Sequence, residues 1–252
     1  MNIEKGLLHM ANAFKLLLVE FRKMGIGRWI GIVATALLWG VSYNMLVVDI
    51  GPRIENGVSA PGLGVVLLVV WFFYPIFFVR GEAYRIRDPY GKVAVPDIYV
   101  LLKMMPLKNS EKALNRMLSM SAFILVANAF LSVSIFASSF LIGHSPLWGV
   151  KAAVAWLLLT WVSGLIWVAC EPYARTYRHR DWLEFFAWMA PVVIVLSLVG
   201  WLSDLWFFGI VIYFLYHAPQ VTLAVLFVLL VIQFFVTFKV VSSAFEKVDY
   251  YV

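Results

Sequence analysis

The sequence predicts an all-α polytopic membrane protein, and three observations carry that prediction. First, 63% of the 252 residues are hydrophobic and only 13% are charged, with a mean hydropathy of +0.89; a soluble domain averages about 25% charged residues. Second, the apolar residues fall into runs long enough to cross a hydrocarbon core of roughly 30 Å, which takes about 20 helical residues. Third, the basic residues sit in the short intervals between those runs and not along one soluble face, a pattern that reads as topology information and not as a nucleic-acid surface.

The N-terminal stretch 3–24 is amphipathic. Leu7, Met10, Ala11, Phe14, Leu17, Leu18 and Phe21 share one helical face, and Lys5, His9, Asn12, Lys15 and Glu20 share the other, so a helix lying in the membrane interface is expected. Spans one and two follow at 29–48 and 63–79, separated by a loop with Gly51-Pro52 and Pro61-Gly62. A polar interval occupies 80–117. The third span is expected at 118–142, lined with small polar residues that let helices approach and bond across an interface. Gly143 to Gly149, containing Pro146, reads as a tight turn, and the fourth span as 150–169. The fifth span is placed at 185–202. Residues 205–216 are apolar but too few to cross, and read as a re-entrant element between spans five and six. The sixth span is placed at 220–240, followed by a short mixed tail.

Six spans put both termini on one side, and the charges test this. Eighteen of the twenty Lys and Arg residues fall on the side of the termini, and only Arg53 and Lys151 on the other. By the positive-inside rule the termini and both basic loops are cytoplasmic. No internal repeat or linker divides the chain, so a single membrane domain is expected, with the lipid bilayer as its first partner.

The interval from Arg80 to Leu118 holds eight Lys and Arg against Glu82, Asp88, Asp97 and Glu111. Within it, Pro96-Asp97 starts a short amphipathic helix that Pro106 stops, and a second helix opens at Asn109 or Ser110 and runs into the third span. The short helix reads as a docking surface for a cytoplasmic partner. Ile98, Val100, Leu101, Leu102, Met104 and Met105 offer apolar anchors, while Asp97 and Lys103 fix register.

The sequence lacks the usual catalytic constellations. No G-x-x-x-x-G-K-[ST] occurs, since Gly91-Lys92 is followed by Val93, and no H-E-x-x-H occurs. His9, His144, His179 and His217 are far apart, so no metal site is expected; with the single Cys170, no internal disulfide is possible. The interiors of the expected spans carry no ionisable residue, which argues against a proton- or ion-coupled pump. The chain is therefore expected not to be an enzyme by itself.

The order of parts resembles the membrane subunit of a type-2 ATP-binding-cassette exporter. The resemblance covers the whole chain: interface helix, six spans, cytoplasmic termini, a large loop between spans two and three, and a re-entrant element between spans five and six. Locally it rests on Leu101-Leu102-Lys103-Met104-Met105-Pro106-Leu107-Lys108, followed by a basic helix through Lys112 to Arg116, with Met105 standing where leucine is usual. The resemblance implies a plasma-membrane permease that pairs with a second membrane subunit, as a homodimer, and with two copies of a cytoplasmic P-loop ATPase. ATP and Mg would be held by that partner, with no cofactor on this chain. It also implies that Asp97, Ile98, Leu101, Leu102, Lys103 and Met105 form a coupling helix seated in the ATPase. Asn128, Ser132, Thr160 and Ser163 are candidates for the substrate path, and the uncharged, aromatic-rich spans suit an amphipathic or hydrophobic cargo. A non-transporting immunity or assembly factor that binds a cytoplasmic partner through 80–117 remains the alternative.

Overall fold

The computed structural model describes residues 97–141, 145–170 and 217–247, with isolated positions between 15 and 37 and at 198 and 213–215. All secondary structure among the described residues is helical. The four complete helices are α1 (Asp97–Met104), α2 (Asn109–Leu141), α3 (Pro146–Cys170) and α4 (Pro219–Lys247). α2, α3 and α4 are long and apolar enough to span a membrane. The span expected at 63–79, that at 185–202 apart from Leu198, and most of the re-entrant element at 205–216 lie outside the described residues; Leu198 and positions 213–215 are helical. Of the interface helix and the first span, Lys15, Leu17, Leu18, Phe21, Arg22, residues 29–34 and Leu37 are described, and all are helical.

Local chemistry sets the helix ends. α1 stops at Met104 because Pro106 cannot donate a backbone N–H and disfavours helical geometry at Met105. The chain then folds tightly, with the Leu107 N–H donating to the Met105 carbonyl at 2.8 Å. Lys108 takes the N-cap position of α2. Its carbonyl accepts from the Glu111 N–H, and the Glu111 carboxylate accepts from the Lys108 N–H at 3.0 Å, half of a capping box. Pro146 was expected within a tight turn; instead it opens α3. Ser145 caps the helix, accepting from the Trp148 N–H, and Pro146 takes the first helical position, where a missing N–H costs nothing. Residues 241–247, expected in a separate tail, belong to α4. α4 continues to Lys247 because Val241, Ala244 and Phe245 recur on one face and are buried there.

The core lies where α2, α3 and α4 meet. Met120, Ile124, Leu131 and Ile135 of α2 pack with Trp156, Leu159 and Leu165 of α3 and Leu226 and Leu230 of α4. Gly164 admits the closest approach: a Cβ there would collide with the end of the Ile124 side chain and lie 3.4 Å from the Met120 Cγ. Polar bonds fix the pairings. The Trp161 indole N–H donates to the Ser121 hydroxyl at 2.8 Å, joining α3 to α2. The Thr237 hydroxyl donates to the Leu165 carbonyl at 3.0 Å, joining α4 to α3, and receives the Gln233 amide at 3.1 Å. Interhelical side-chain bonds of this kind are worth about 0.6 kcal/mol on average and up to about 1.7 kcal/mol. Thr237→Val keeps the shape and removes the donor, and is expected to cost about 1 kcal/mol in detergent–SDS unfolding.

These contacts also fix direction. The C-terminal turns of α4 touch the start of α2, and Thr237 sits beside Leu165 near the end of α3. α3 and α4 are therefore parallel to each other and antiparallel to α2, and Cys170 and Pro219 lie at opposite ends of the bundle. The N-terminal residues run alongside α2. Phe21 stacks on Phe123 at 4.8 Å, Trp29 lies 6.5 Å from the same ring, and the Ser134 hydroxyl donates to the Leu37 carbonyl at 3.0 Å. Contacts that climb from Phe123 to Ser134 as the chain goes from Trp29 to Leu37 make this segment parallel to α2. On α4 most large apolar side chains point outward, Val225, Phe227, Ile232 and Phe235 among them.

Candidate docking site

α1 has two unlike faces, and its sequence sets them. Tyr99 and Leu102, three residues apart, are buried at 0% and 1% exposure. Leu101 and Met104, also three apart, are exposed at 47% and 68%. Eight residues form too short a helix to persist in water unaided, so α1 owes its order to what Tyr99 and Leu102 touch.

The seat of α1 is built from two cations and two rings. The Tyr99 ring stacks on Phe245, near the end of α4, with centroids 5.2 Å apart and planes at 17°. The Arg116 guanidinium of α2 lies 5.8 Å from the Tyr99 centroid, and the Lys112 ammonium lies 5.9 Å from that of Phe245. Lys112 and Arg116 are four residues apart and so share a face of α2, one cation for each ring. The Lys112 ammonium also donates to the Lys103 carbonyl at 3.4 Å, satisfying a group at the C-terminal end of α1. Desolvated cation–π contacts are worth up to about 2 kcal/mol each and exposed ones about 0.5–1 kcal/mol. Both cations here are buried.

Of the residues expected to dock a partner, Leu101 faces outward, Lys103 and Met105 are half-buried, and Leu102 faces the bundle. Leu102 therefore holds α1 in place and is not presented to a partner by this chain. Met104, grouped with the anchors in the sequence but not with the coupling residues proper, is more exposed than Leu101. Asp97 and Ile98 lie in the first turn of α1. Tyr99, Arg116 and Phe245 were missed as members of this site. The signals were present as the 99/102 spacing, the 112/116 spacing and the recurrence of 241, 244 and 245.

The path candidates are placed differently. Asn128, Thr160 and Ser163 are buried inside the packed helices. The Asn128 amide donates to the Ile124 carbonyl at 2.9 Å, Thr160 to the Trp156 carbonyl at 2.9 Å, and Ser163 to the Thr160 carbonyl at 3.0 Å, each within its own helix. Ser132 stands apart, beside an open apolar groove of about 380 Å³ between α2 and α3 that includes Phe136, Val150, Ala153 and Leu157. Asn128 and Ser132, four residues apart, share a face of α2, and Thr160 and Ser163, three apart, share a face of α3. Among the described residues no group of three His, Cys, Asp or Glu side chains could hold a metal ion.

No family model, curated protein or solved structure matches this chain. The functional reading therefore rests on the bundle and on α1.

Proposed function

We propose that the chain is the membrane-spanning subunit of an ATP-driven exporter of the type-2 ATP-binding-cassette class. In this reading α1 docks a separate cytoplasmic P-loop ATPase, which binds ATP and Mg, and two identical membrane subunits, each with its ATPase, pair in the plasma membrane. The observation that carries it is the division of α1: Tyr99 and Leu102 lock the helix to the ends of α2 and α4, while Leu101 and Met104 are left outward. A rigidly seated short helix with apolar side chains turned away from its own protein suits force transfer from a partner. The helix directions agree with it too. A six-span chain with both termini on one side runs spans one and three together and spans four and six together in the opposite sense, the relation observed for Trp29 and Leu37, α2, α3 and α4.

The test is Leu101→Asp with Met104→Asp in the full chain, purified in mild detergent from its host. Burying a leucine or methionine at an interface contributes about 1.5–3 kcal/mol, and each 1.4 kcal/mol is tenfold in affinity. The double variant is expected to lose at least tenfold in ATPase binding and in stimulated hydrolysis, with its unfolding midpoint unchanged because both side chains are exposed. Unaltered binding, or a stoichiometric partner that hydrolyses no ATP, sinks the exporter reading and favours the non-transporting alternative.

A further inference from the structure

We infer that the last two turns of α4, from Val241 to Lys247, are a working part of the docking site: Phe245 is a positioning residue through which α1 and the end of the final membrane helix move as one body. The inference rests on the docking reading of α1 and deepens it by naming the helix that carries the motion onward. Among the described helices α1 joins directly, through four residues, only to α2, so covalent connection predicts that α2 takes load.

The packing adds α4. Through its membrane-length stretch α4 is the least buried of the three long helices, with 17% of that stretch inside the protein against 50% and 56% for α2 and α3. Burial returns at its end, where Val241 and Ala244 are fully buried and Phe245 is 3% exposed. Phe245 occupies the middle of the seat, with Tyr99 of α1 on it at 5.2 Å and Lys112 of α2 over it at 5.9 Å. It is thus the side chain through which three helices share one contact. A flat stacked pair buried on both sides resists sliding, because displacing either ring opens a void in close-packed surroundings.

The experiment compares Phe245→Leu, which keeps an apolar side chain but removes the ring, with Phe245→Tyr, which keeps the ring, in the purified full chain. The first readout needs no partner: hydrogen exchange of the amides of residues 101–104, whose helix is too short to protect itself. Phe245→Leu is expected to speed that exchange at least tenfold and Phe245→Tyr to leave it within twofold. The second readout separates affinity from turnover with the ATPase present. Since Leu101 and Met104 are untouched, Phe245→Leu is expected to bind the ATPase within twofold of the parent and to lose at least tenfold in stimulated hydrolysis, with Phe245→Tyr restoring it. Unchanged exchange in Phe245→Leu overturns the inference, as does an equal loss of affinity and turnover, which would mark Phe245 as local packing only. If the parent chain binds no ATPase, the docking reading fails by itself, and the exchange comparison still decides whether Phe245 holds α1.

Discussion

Arg116→Ala is expected to lower the stability of the bundle by about 2–5 kcal/mol, the range for deleting a large, fully buried side chain whose site cannot collapse. Arg116 heads the largest side chains with under 2% exposure. Its guanidinium covers the Tyr99 ring, and its stem fills space at the start of α2. Alanine would remove the cation–π contact and leave a cavity between rigid helices together. The comparison is Lys108→Ala, eight residues earlier, whose side chain is exposed and whose capping role belongs to its backbone; it is expected to stay within about 0.5 kcal/mol. SDS unfolding of the two variants in mixed micelles measures both. Equal midpoints for Arg116→Ala and the parent would show that the seat of α1 contributes nothing to the fold.

Gly164→Leu is expected to have a comparable effect by the opposite means, overfilling. The α2–α3 contact at Gly164 leaves no room for a Cβ unless Ile124 gives way, and Met120 blocks the adjacent space. A leucine must push the helices apart, and overpacking of this kind costs about 1–3 kcal/mol or more. Separation there also strains the bond from Trp161 to Ser121, one turn away. Gly164→Ala is the control. The colliding atom is the end of the flexible Ile124 side chain, and alanine is favoured over glycine within a helix by about 1 kcal/mol, so a near-neutral outcome is expected. A change in Trp near-UV dichroism in the leucine variant alone would locate the damage at this crossing.

How much of this could be seen in the sequence depended on how local the cause was. Asp97 and Pro106 bracket α1, and the polar-to-apolar run from Asn109 marks α2, because start and stop chemistry acts within a few residues. Ser145-Pro146 carried the same kind of signal, yet a proline near glycines reads equally as a turn, and only the helix after it separates the two. The buried face of α1 was beyond local reasoning. Every residue from Ile98 to Met105 except Lys103 is apolar or aromatic, so periodicity could not say which ones turn inward. Tyr99 and Leu102 do so because Arg116, seventeen residues on, and Phe245, over a hundred residues on, supply their surroundings. The path candidates turn on a related point. A serine, threonine or asparagine in an apolar helix can bond to its own backbone one turn back, as Asn128, Thr160 and Ser163 do, and no sequence pattern distinguishes that from lining a channel.

α2 is a single helix of 33 residues, and between Asn109 and Leu141 it contains neither glycine nor proline. At 1.5 Å per residue it is a rod of about 50 Å, with none of the usual causes of a kink. A rod held at one end amplifies rotation: a tilt of only about 5° at the seat of α1 sweeps the opposite end through roughly 4 Å, close to the width of an aliphatic side chain. The geometry acts as a lever arm: at Ser132, about 24 Å along the rod from Arg116, the same tilt shifts the helix by roughly 2 Å.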